Sequence, residues 1–339
     1  MPQLRQSIIT GDWVVIAPER AKRPDEYHRP ADSIKREAAG PECVFCPESE
    51  AYQKLRLKDF ESERIYIVPN KFPAFLEDKG GLSQRSYEQE NFYRAKGSIG
   101  GHDVIIIKDH TKGLLELDVA TLEEMFSMIA KRYQYFAGKN VEYPMAIYNH
   151  GPEAGASIVH PHAQLFASPI VPNIVGRELE TTKKYYELNG ACAFCDLVTH
   201  ELKNKIRLIG ENQDYLVFTF YAARFPFESW VVPKVHQSRF ENEPPAKMHS
   251  LAQILGDVFP KYNKILRDPP LNFFLHSIPN SIESADYYHW HLEIAPRVAM
   301  YGGYELGSGV VIDVMNPEDA AIYLMGGEPA PPAGRPESK

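Results

Sequence analysis

The chain has 339 residues, of which 24% are charged, and a formal net charge of −8. This acidic balance argues against a general nucleic-acid or membrane surface, and no stretch approaches the roughly 18 apolar residues that a bilayer span requires. The length exceeds one typical domain and predicts two packed halves or one large α/β unit. We therefore expect a soluble cytoplasmic protein whose ligands are small molecules, with neither nucleic acid nor membrane as partner.

Short β-branched and aromatic runs predict strands along the chain, and longer amphipathic segments predict helices. In chain order, the predicted strands are 13–16, 65–68, 104–107, 145–148, 216–220, 230–232 and 272–275. The predicted helices are 117–135, 178–188 and 245–266. Each half is thus predicted to be an antiparallel sheet with a long helix, an α+β fold. We expect an N-terminal half over 1–180, a C-terminal half over 181–326 and a flexible tail over 327–339.

All four cysteines fall in two Cys-x-x-Cys motifs. In a cytosolic chain such motifs indicate metal binding rather than disulfides, although redox or structural thiols are the alternative for either motif alone. Each motif is followed by a histidine at the end of a predicted strand and then by a His-x-His motif. This repeated order indicates an internal duplication and predicts two zinc sites. Their ligands are Cys43, Cys46, His110 and His160 in the first site, and Cys192, Cys195, His236 and His289 in the second. Four protein ligands saturate each site, so both zinc ions are predicted to be structural.

The first His-x-His motif carries the predicted chemistry. Alternation along a strand places His160, His162 and Gln164 on one face, and Gly155 and Ser157 lie just upstream. Backbone N–H groups of that small-residue loop and the serine hydroxyl are suited to hold a phosphate. A neutral imidazole is a plausible phosphoryl acceptor. A pair of ordinary surface or core histidines is the alternative, and the loop together with Gln164 favours a phosphate-handling site.

The second half differs at the matching positions. Glu293 stands where the first half has Gln164, and an acidic residue there would repel a phosphate. Residues 284–288 replace the glycine-serine loop. We therefore predict that the second half serves structure or substrate contacts, and that His276 and His291 pack or form hydrogen bonds rather than catalyse.

Two further segments are candidates for ligand contacts. Arg20, Lys22 and Arg23 lie in a proline-bounded loop after the first predicted strand, and arginine forks suit phosphate oxygens. A solvated basic loop is the alternative explanation. Asn70, with aromatic neighbours in its segment, carries an amide that is a candidate contact for a nucleobase.

Taken in order, the Arg-Ala-Lys-Arg-Pro, Cys-x-x-Cys, Asp-His, Gly-Ala-Ser and His-Pro-His-x-Gln motifs resemble those of the galactose-1-phosphate uridylyltransferases. These enzymes are a duplicated branch of the histidine-triad nucleotide transferases, and the likeness runs from Gly11 to Glu305. The resemblance implies ping-pong transfer in which His162 attacks the α-phosphorus of UDP-glucose, releases glucose 1-phosphate and passes the uridylyl group to galactose 1-phosphate. It also implies a homodimer.

The resemblance assigns roles to individual residues. It implies that Gln164 stabilises the non-bridging oxygens in the transition state and that Asn70 contacts the base or ribose. The four predicted ligands of the first zinc site match the zinc ligands of the family. The implied phosphate contacts are Ser157, Asn149, Arg20 and Arg23. Some members have a second metal site that Glu178, His276, His289 and His291 match. Because Cys192 and Cys195 offer softer ligands, we expect a Cys2His2 zinc site instead, with Glu178, His276 and His291 left outside it.

One departure from the family bears on the substrate. The family's lysine and glutamine that hold the sugar phosphate and hexose have no counterpart in the segment around Gly302 and Gly303. Tyr304 and Glu305 are still expected to contact sugar hydroxyls. The combination of this glycine-rich segment with the two Cys-x-x-Cys motifs elsewhere in the chain resembles a related branch of enzymes. That branch transfers an adenylyl group from ADP-glucose to phosphate. This branch is the second hypothesis, and a non-catalytic, zinc-stabilised nucleotide-binding protein is a distant third.

Overall fold

The computed structural model describes residues 1–20, 43–78, 92–93, 95–139 and 141–329. Within them the strands are β1 (Gln3–Gln6), β2 (Trp13–Ile16), β3 (Ile65–Pro69), β4 (Gly101–Ile107), β5 (Tyr143–His150), β6 (His162–Ser168), β7 (Leu208–Glu211), β8 (Tyr215–Thr219), β9 (Ser229–Pro233), β10 (Leu271–His276), β11 (His291–Pro296) and β12 (Val311–Asp313). The α-helices are α1 (Glu50–Leu55), α2 (Val119–Ala137), α3 (Asn173–Asn189), α4 (Ala193–Asn204), α5 (Pro245–Leu266), α6 (Gly303–Ser308) and α7 (Pro317–Leu324).

Nine strands form one antiparallel sheet in the order β3-β4-β6-β5-β10-β11-β9-β8-β7. The order β3-β4-β6-β5 in the first half corresponds to β8-β9-β11-β10 in the second half, read from the opposite edge of the sheet. The duplication inferred from the motifs is therefore also a duplication of strand order. The α+β prediction is confirmed. The structure adds that β5 and β10 pair with each other, with Asn149 opposite Asn272, so the sheets of the two halves are continuous. A strand that would be an exposed edge in either half is thereby paired.

Both long helices pack on one face of this sheet. Asp118 caps α2 by accepting a hydrogen bond from the Thr121 N–H at 2.8 Å. The helix therefore begins at Val119, two residues later than the predicted start at residue 117. The helix α2 buries Phe126 and Tyr133, and α5 packs beside it. The apolar residues that alternate along the strands, such as Leu165, meet these helices in one large core. This face is therefore closed to ligands.

The opposite face carries the polar residues. Antiparallel register places His162 and Gln164 of β6 on the same face as Asn149 of β5 and Asn272 of β10. A second, three-stranded sheet in the order β1-β2-β12 packs on this side of the second half through an apolar cluster that includes Val14. Among the described helices, none combines the length and apolar character that crossing a membrane requires.

Candidate active site and metal clusters

A cavity of about 120 Å³ opens where β5 ends and β6 begins. Its wall includes Gly151 and Pro152 of a tight turn, a 3-10 helix at Pro152–Ala154 flanked by Gly151 and Gly155, which have φ values of 85° and 88°. These positive φ values favour glycine at both positions. Ser157 lines the same cavity. The loop predicted to hold a phosphate therefore does border a pocket.

His162, the predicted nucleophile, lies in the wall of this cavity with 6% of its surface exposed. Its Nδ1 lies 2.8 Å from the carbonyl oxygen of His160, so Nδ1–H donates there and Nε2 keeps its lone pair. Burial lowers the pKa of His162, and the bond to that carbonyl only partly opposes the shift. The imidazole is therefore neutral at pH 7 and in the tautomer that attack through Nε2 requires.

Gln164 lies two residues further along β6, on the same face as His162. Its Oε1 lies 2.9 Å from Nε2 of His102 on β4. The side-chain amide of Asn70, which follows β3, lies 3.2 Å from the same Nε2. The structure thus places Gln164, the predicted transition-state contact, and Asn70, the predicted base contact, next to the same ring nitrogen of His102.

The second half supports Asn149 from across the junction. Asn272 Nδ2 donates to Asn149 Oδ1 at 2.8 Å and to the Ala154 carbonyl at 2.8 Å. Its Oδ1 accepts a bond from Arg297 at 3.2 Å. Asn272 is 3% exposed, so these bonds are shielded from water. A buried amide of the second half therefore holds both the side chain of Asn149 and the turn that borders the cavity.

The four residues predicted for the first zinc site converge, with their ligand atoms within 4.8 Å of one another. Cys46 Sγ lies 3.3 Å from His110 Nδ1, and Cys43 Sγ lies 3.5 Å from His160 Nδ1. His160 Nε2–H donates to the Ile107 carbonyl at 2.6 Å, which leaves a lone pair on Nδ1 towards the thiols. Metal-bound histidines show this outward hydrogen bond.

The electrostatics of this cluster also suit a cation. Burial raises the pKa of Cys46 to about 11 and lowers that of His160 to about 4. The two facing Nδ1 atoms of His160 and His110 are only 2.9 Å apart. A divalent cation between them would remove the repulsion and stabilise the thiolates, so the donor set fits Zn²⁺.

The second set of predicted ligands converges in the same way, again within 4.8 Å. Cys195 Sγ lies 3.6 Å from His236 Nδ1 and 3.3 Å from His289 Nε2. His236 Nε2–H donates to the Ala285 carbonyl at 3.1 Å. Cys192 precedes the first turn of α4 and Cys195 lies within that turn. The bond from Cys192, more than any other contact, lowers the pKa of the Cys195 thiol.

A third buried group lies beside the second cluster. Glu178, His276, His291 and Glu293 bring their ligand atoms within 4.8 Å of one another. His276 Nδ1 lies 3.0 Å from Glu178, and Arg224 pairs with Glu293. Burial acts to raise the pKa of Glu178, but the charge and hydrogen bond of His276 outweigh it and lower the pKa. His276 thus forms the hydrogen bond that we predicted, and His289 belongs to the cysteine cluster instead of this group.

Four other predicted contacts have different outcomes. Arg23 lies outside the described residues, and so does the side chain of Arg20, whose backbone ends a 3-10 turn at Pro18–Arg20. Tyr304 and Glu305 lie on α6, where Glu305 accepts the Gly302 N–H at 2.9 Å and caps the helix. Neither is among the residues lining the described cavity, so their sugar contacts stay predictions.

Sequence reasoning missed His102 and Asn272. His102 lies two residues before the predicted strand 104–107, and Asn272 is the first residue of the predicted strand 272–275, between Leu271 and Phe273. Extending strand 104–107 backwards by alternation would have placed residue 102 on the same face as residue 104. No sequence signal indicated that Asn272 would lie opposite Asn149, because that pairing joins the two halves.

Comparisons with known proteins agree with this geometry. Residues 1–172 match the family model described as galactose-1-phosphate uridyl transferase, N-terminal domain. The chain is 31% identical to ADP-glucose phosphorylase of Arabidopsis thaliana over 330 residues, which cover 95% of this chain and 92% of the relative. It is 26% identical to galactose-1-phosphate uridylyltransferase of Haemophilus influenzae, with 87% and 84% covered. The solved Arabidopsis ADP-glucose phosphorylase with bound ADP-glucose matches with a TM-score of 0.79, at 30% identity over 96% of this chain and 98% of that one.

Proposed function

Because the chain belongs to the galactose-1-phosphate uridyl transferase family, we propose that it transfers a nucleotidyl group through a covalent intermediate on His162. One observation carries this proposal: a buried, neutral imidazole with Nδ1–H fixed to a carbonyl lies in the wall of the cavity that the Gly151–Gly155 turn borders. An imidazole held in this way is a nucleophile whose lone pair is already oriented.

In the proposed first step, Nε2 of His162 forms a bond to the α-phosphorus of a nucleotide sugar. The bond from that phosphorus to the bridging oxygen breaks, and the electron pair leaves with the sugar 1-phosphate. In the second step, an oxygen of another phosphate attacks the same phosphorus, and His162 leaves as a neutral imidazole. The phosphorus–nitrogen bond conserves the energy of the original phosphoanhydride, so neither step needs a further reactant.

Positioning and electrostatics carry most of the catalysis in such transfers. Gln164 shares a sheet face with His162 and is proposed to donate to the non-bridging oxygens. Ser157, Gly155 and Asn149 surround or adjoin the cavity and are proposed to hold the phosphates. Arg20 and Arg23 are proposed to add positive charge from the N-terminal loop.

The leading assignment is UDP-glucose as donor and galactose 1-phosphate as acceptor, which places the chain in galactose metabolism. The family model and the Haemophilus relative support it. The second candidate is an ADP-glucose phosphorylase, in which phosphate accepts an adenylyl group. The Arabidopsis relative supports this candidate, since it is similar to the chain at 31% identity over nearly its whole length.

We propose that each Cys2His2 cluster holds one zinc ion. Four protein donors close both sites, so the metal would cross-link strands and loops and would take no part in bond making. In the first cluster it would fix His160, whose carbonyl orients His162. A homodimer is proposed from the family resemblance. The cytoplasm is the proposed location, since there the four cysteines would stay reduced.

The experiment that tests the function is intact-protein mass spectrometry after incubation with UDP-glucose or, in parallel, ADP-glucose. We expect an acid-labile uridylyl adduct that maps to His162. An adenylyl adduct would assign the chain to the phosphorylase reaction instead. The matched control is His162→Asn, which keeps a polar side chain that can donate to the His160 carbonyl but removes the nucleophile.

Exchange activity separates an enzyme from a nucleotide-binding protein. His162→Asn should abolish exchange between nucleotide sugar and labelled sugar 1-phosphate while retaining nucleotide binding. Equal exchange by the variant and the wild type would refute the role of His162. Binding without turnover in the wild type would favour the non-catalytic alternative.

A further inference from the structure

His102 is the polar residue on which two predicted substrate contacts converge. It lies on β4 with 8% of its surface exposed, and its ring stacks on Phe166 with centroids 4.0 Å apart. Its register partner on β6 is Phe166, two residues from Gln164. The imidazole is thus held on the face that carries the active site by packing as well as by hydrogen bonds.

The hydrogen bonds determine the tautomer of His102. Nδ1 accepts from the Ala74 N–H at 3.2 Å, and Nε2 lies closest to an acceptor, Gln164 Oε1, so the ring hydrogen is placed on Nε2. The Asn70 amide nitrogen, 3.2 Å from Nε2, is then a neighbouring donor and forms no hydrogen bond with it. Nε2–H then donates to Gln164 Oε1 at 2.9 Å. Burial lowers the pKa of His102, which keeps the ring neutral.

This arrangement fixes which end of the Gln164 amide is free. If the amide were rotated by half a turn, its NH2 group would face Nε2–H, and two donors would oppose each other in a partly buried site. With Oε1 bound to His102, the NH2 group is the part that remains for a ligand. An NH2 group can donate to a phosphate oxygen, whereas a carbonyl oxygen there would repel it.

The same histidine fastens the segment from Asn70 to Ala74. The Asn70 N–H donates to the His102 carbonyl at 2.8 Å, and the Ala74 N–H donates to the ring. The backbone and side chain of one residue therefore connect the predicted base-contact segment to Gln164.

We propose that His102 is a positioning residue for nucleotidyl transfer: its Nε2–H fixes the Gln164 amide so that the NH2 group faces the transferring phosphate. This inference rests on the proposed function of His162. His102 itself needs no contact with the substrate. Its effect is expected in the rate of the covalent step, since a donor that serves the transition state must be oriented before the reaction.

The test is a double-mutant cycle measured by rapid-quench formation of the nucleotidyl-His162 adduct at saturating donor. His102→Phe keeps the ring and its packing on Phe166 but removes both nitrogens. We expect it to slow adduct formation by roughly 10- to 100-fold, at or below the roughly 100- to 1000-fold cost of removing an oxyanion-hole donor, because the amide is misoriented and not removed. His102→Gln retains an N–H donor and should recover the rate to within about fivefold. In a Gln164→Ala background, His102→Phe should change the rate by less than about threefold.

A merely structural role predicts a different outcome. Equal slowing by His102→Phe in both backgrounds, or wild-type rates without the nitrogens, would overturn the inference. If His102→Phe does not yield folded protein, judged by circular dichroism, His102→Met takes its place in the cycle. It fills similar space without a ring nitrogen.

A second measurement does not depend on activity. Long-range ¹H–¹⁵N correlation spectra of ¹⁵N-histidine-labelled protein at pH 7, with His102→Gln identifying the resonance, should show His102 as the neutral Nε2–H tautomer. The Nδ1–H tautomer or a charged ring would overturn the inference even in a protein that forms no adduct. Failure of the wild type to form any adduct would instead reject the proposed function, so the two failures are distinguishable.

Discussion

Replacing Asn272 by alanine tests whether the second half supports the active site of the first. The side chain lies at the β5–β10 junction, 3% exposed, and donates to Asn149 and to the carbonyl of Ala154. Alanine leaves the strand pairing intact, because the backbone bonds of β10 remain. The variant therefore removes the bonds to Asn149 and Ala154, together with the bond that Oδ1 accepts from Arg297.

The magnitude follows from the two acceptors that lose their donor. The Ala154 carbonyl bond is fully buried, and an unsatisfied buried acceptor costs about 1–3 kcal/mol. The bond to Asn149 is only partly buried, and loss of such a bond costs about 0.5–1.5 kcal/mol. Together these two losses are expected to lower the free energy of unfolding by about 1.5–4.5 kcal/mol, where each 1.4 kcal/mol is a factor of ten. Because Asn149 and the turn lose their support, the KM for the nucleotide sugar should also rise.

Urea unfolding followed by tryptophan fluorescence and circular dichroism measures the first quantity, and steady-state kinetics measures the second. Asn189→Ala is the matched control, since that asparagine is exposed and donates only within the last turn of α3. It should change stability by less than about 0.5 kcal/mol. If Asn272→Ala behaved like the control in both assays, the reasoning that the second half holds Asn149 and the turn would be refuted.

Two further predictions concern pH and metal. Burial acts to raise the pKa of Glu318, but Arg5 and Arg207 outweigh it and lower the pKa below that of the unfolded chain, so this carboxylate stabilises the fold above the unfolded pKa and loses that effect as pH falls through the folded pKa. Glu318→Gln should therefore flatten the acid side of the pH–stability curve, and an unchanged curve would contradict the prediction. Cys195→Ser should release one of two zinc ions in elemental analysis, whereas unchanged stoichiometry would remove the second site.

The two clusters of potential metal ligands were predictable from the sequence because they depend on the order of motifs along the chain. A Cys-x-x-Cys motif, a strand-terminal histidine and a His-x-His motif occur twice, and the structure assembles each set within 4.8 Å. The helix over 245–266 was predicted with its observed bounds, since its apolar period is sustained and prolines mark its start. The proposed ligands thus followed from local patterns repeated along the chain.

Other features depend on contacts between distant segments and could not be predicted. The pairing of β5 with β10 sets the architecture, yet neither strand's sequence indicates its partner. Arg224 and Glu293 are 69 residues apart, so their buried ion pair had no local signal. The choice of ring nitrogen also differs between clusters, because His160 presents Nδ1 and His289 presents Nε2 to the thiols. Such choices are made by packing around each ring.

The β5–β10 junction has a consequence for the origin of the chain. Separated from its neighbour, either half would end in a strand with an unsatisfied row of N–H and C=O groups, a template for association with any copy of itself. Joining the two halves in one chain replaces association between molecules by pairing within the molecule. The pairing of β5 with β10 therefore does not depend on protein concentration. Because neither half has to match an identical partner, the first half can retain the candidate nucleophile, His162, while the second half has residues 284–288 in place of the glycine-serine loop and supports Asn149 through Asn272. The division of labour between the halves follows from this covalent linkage.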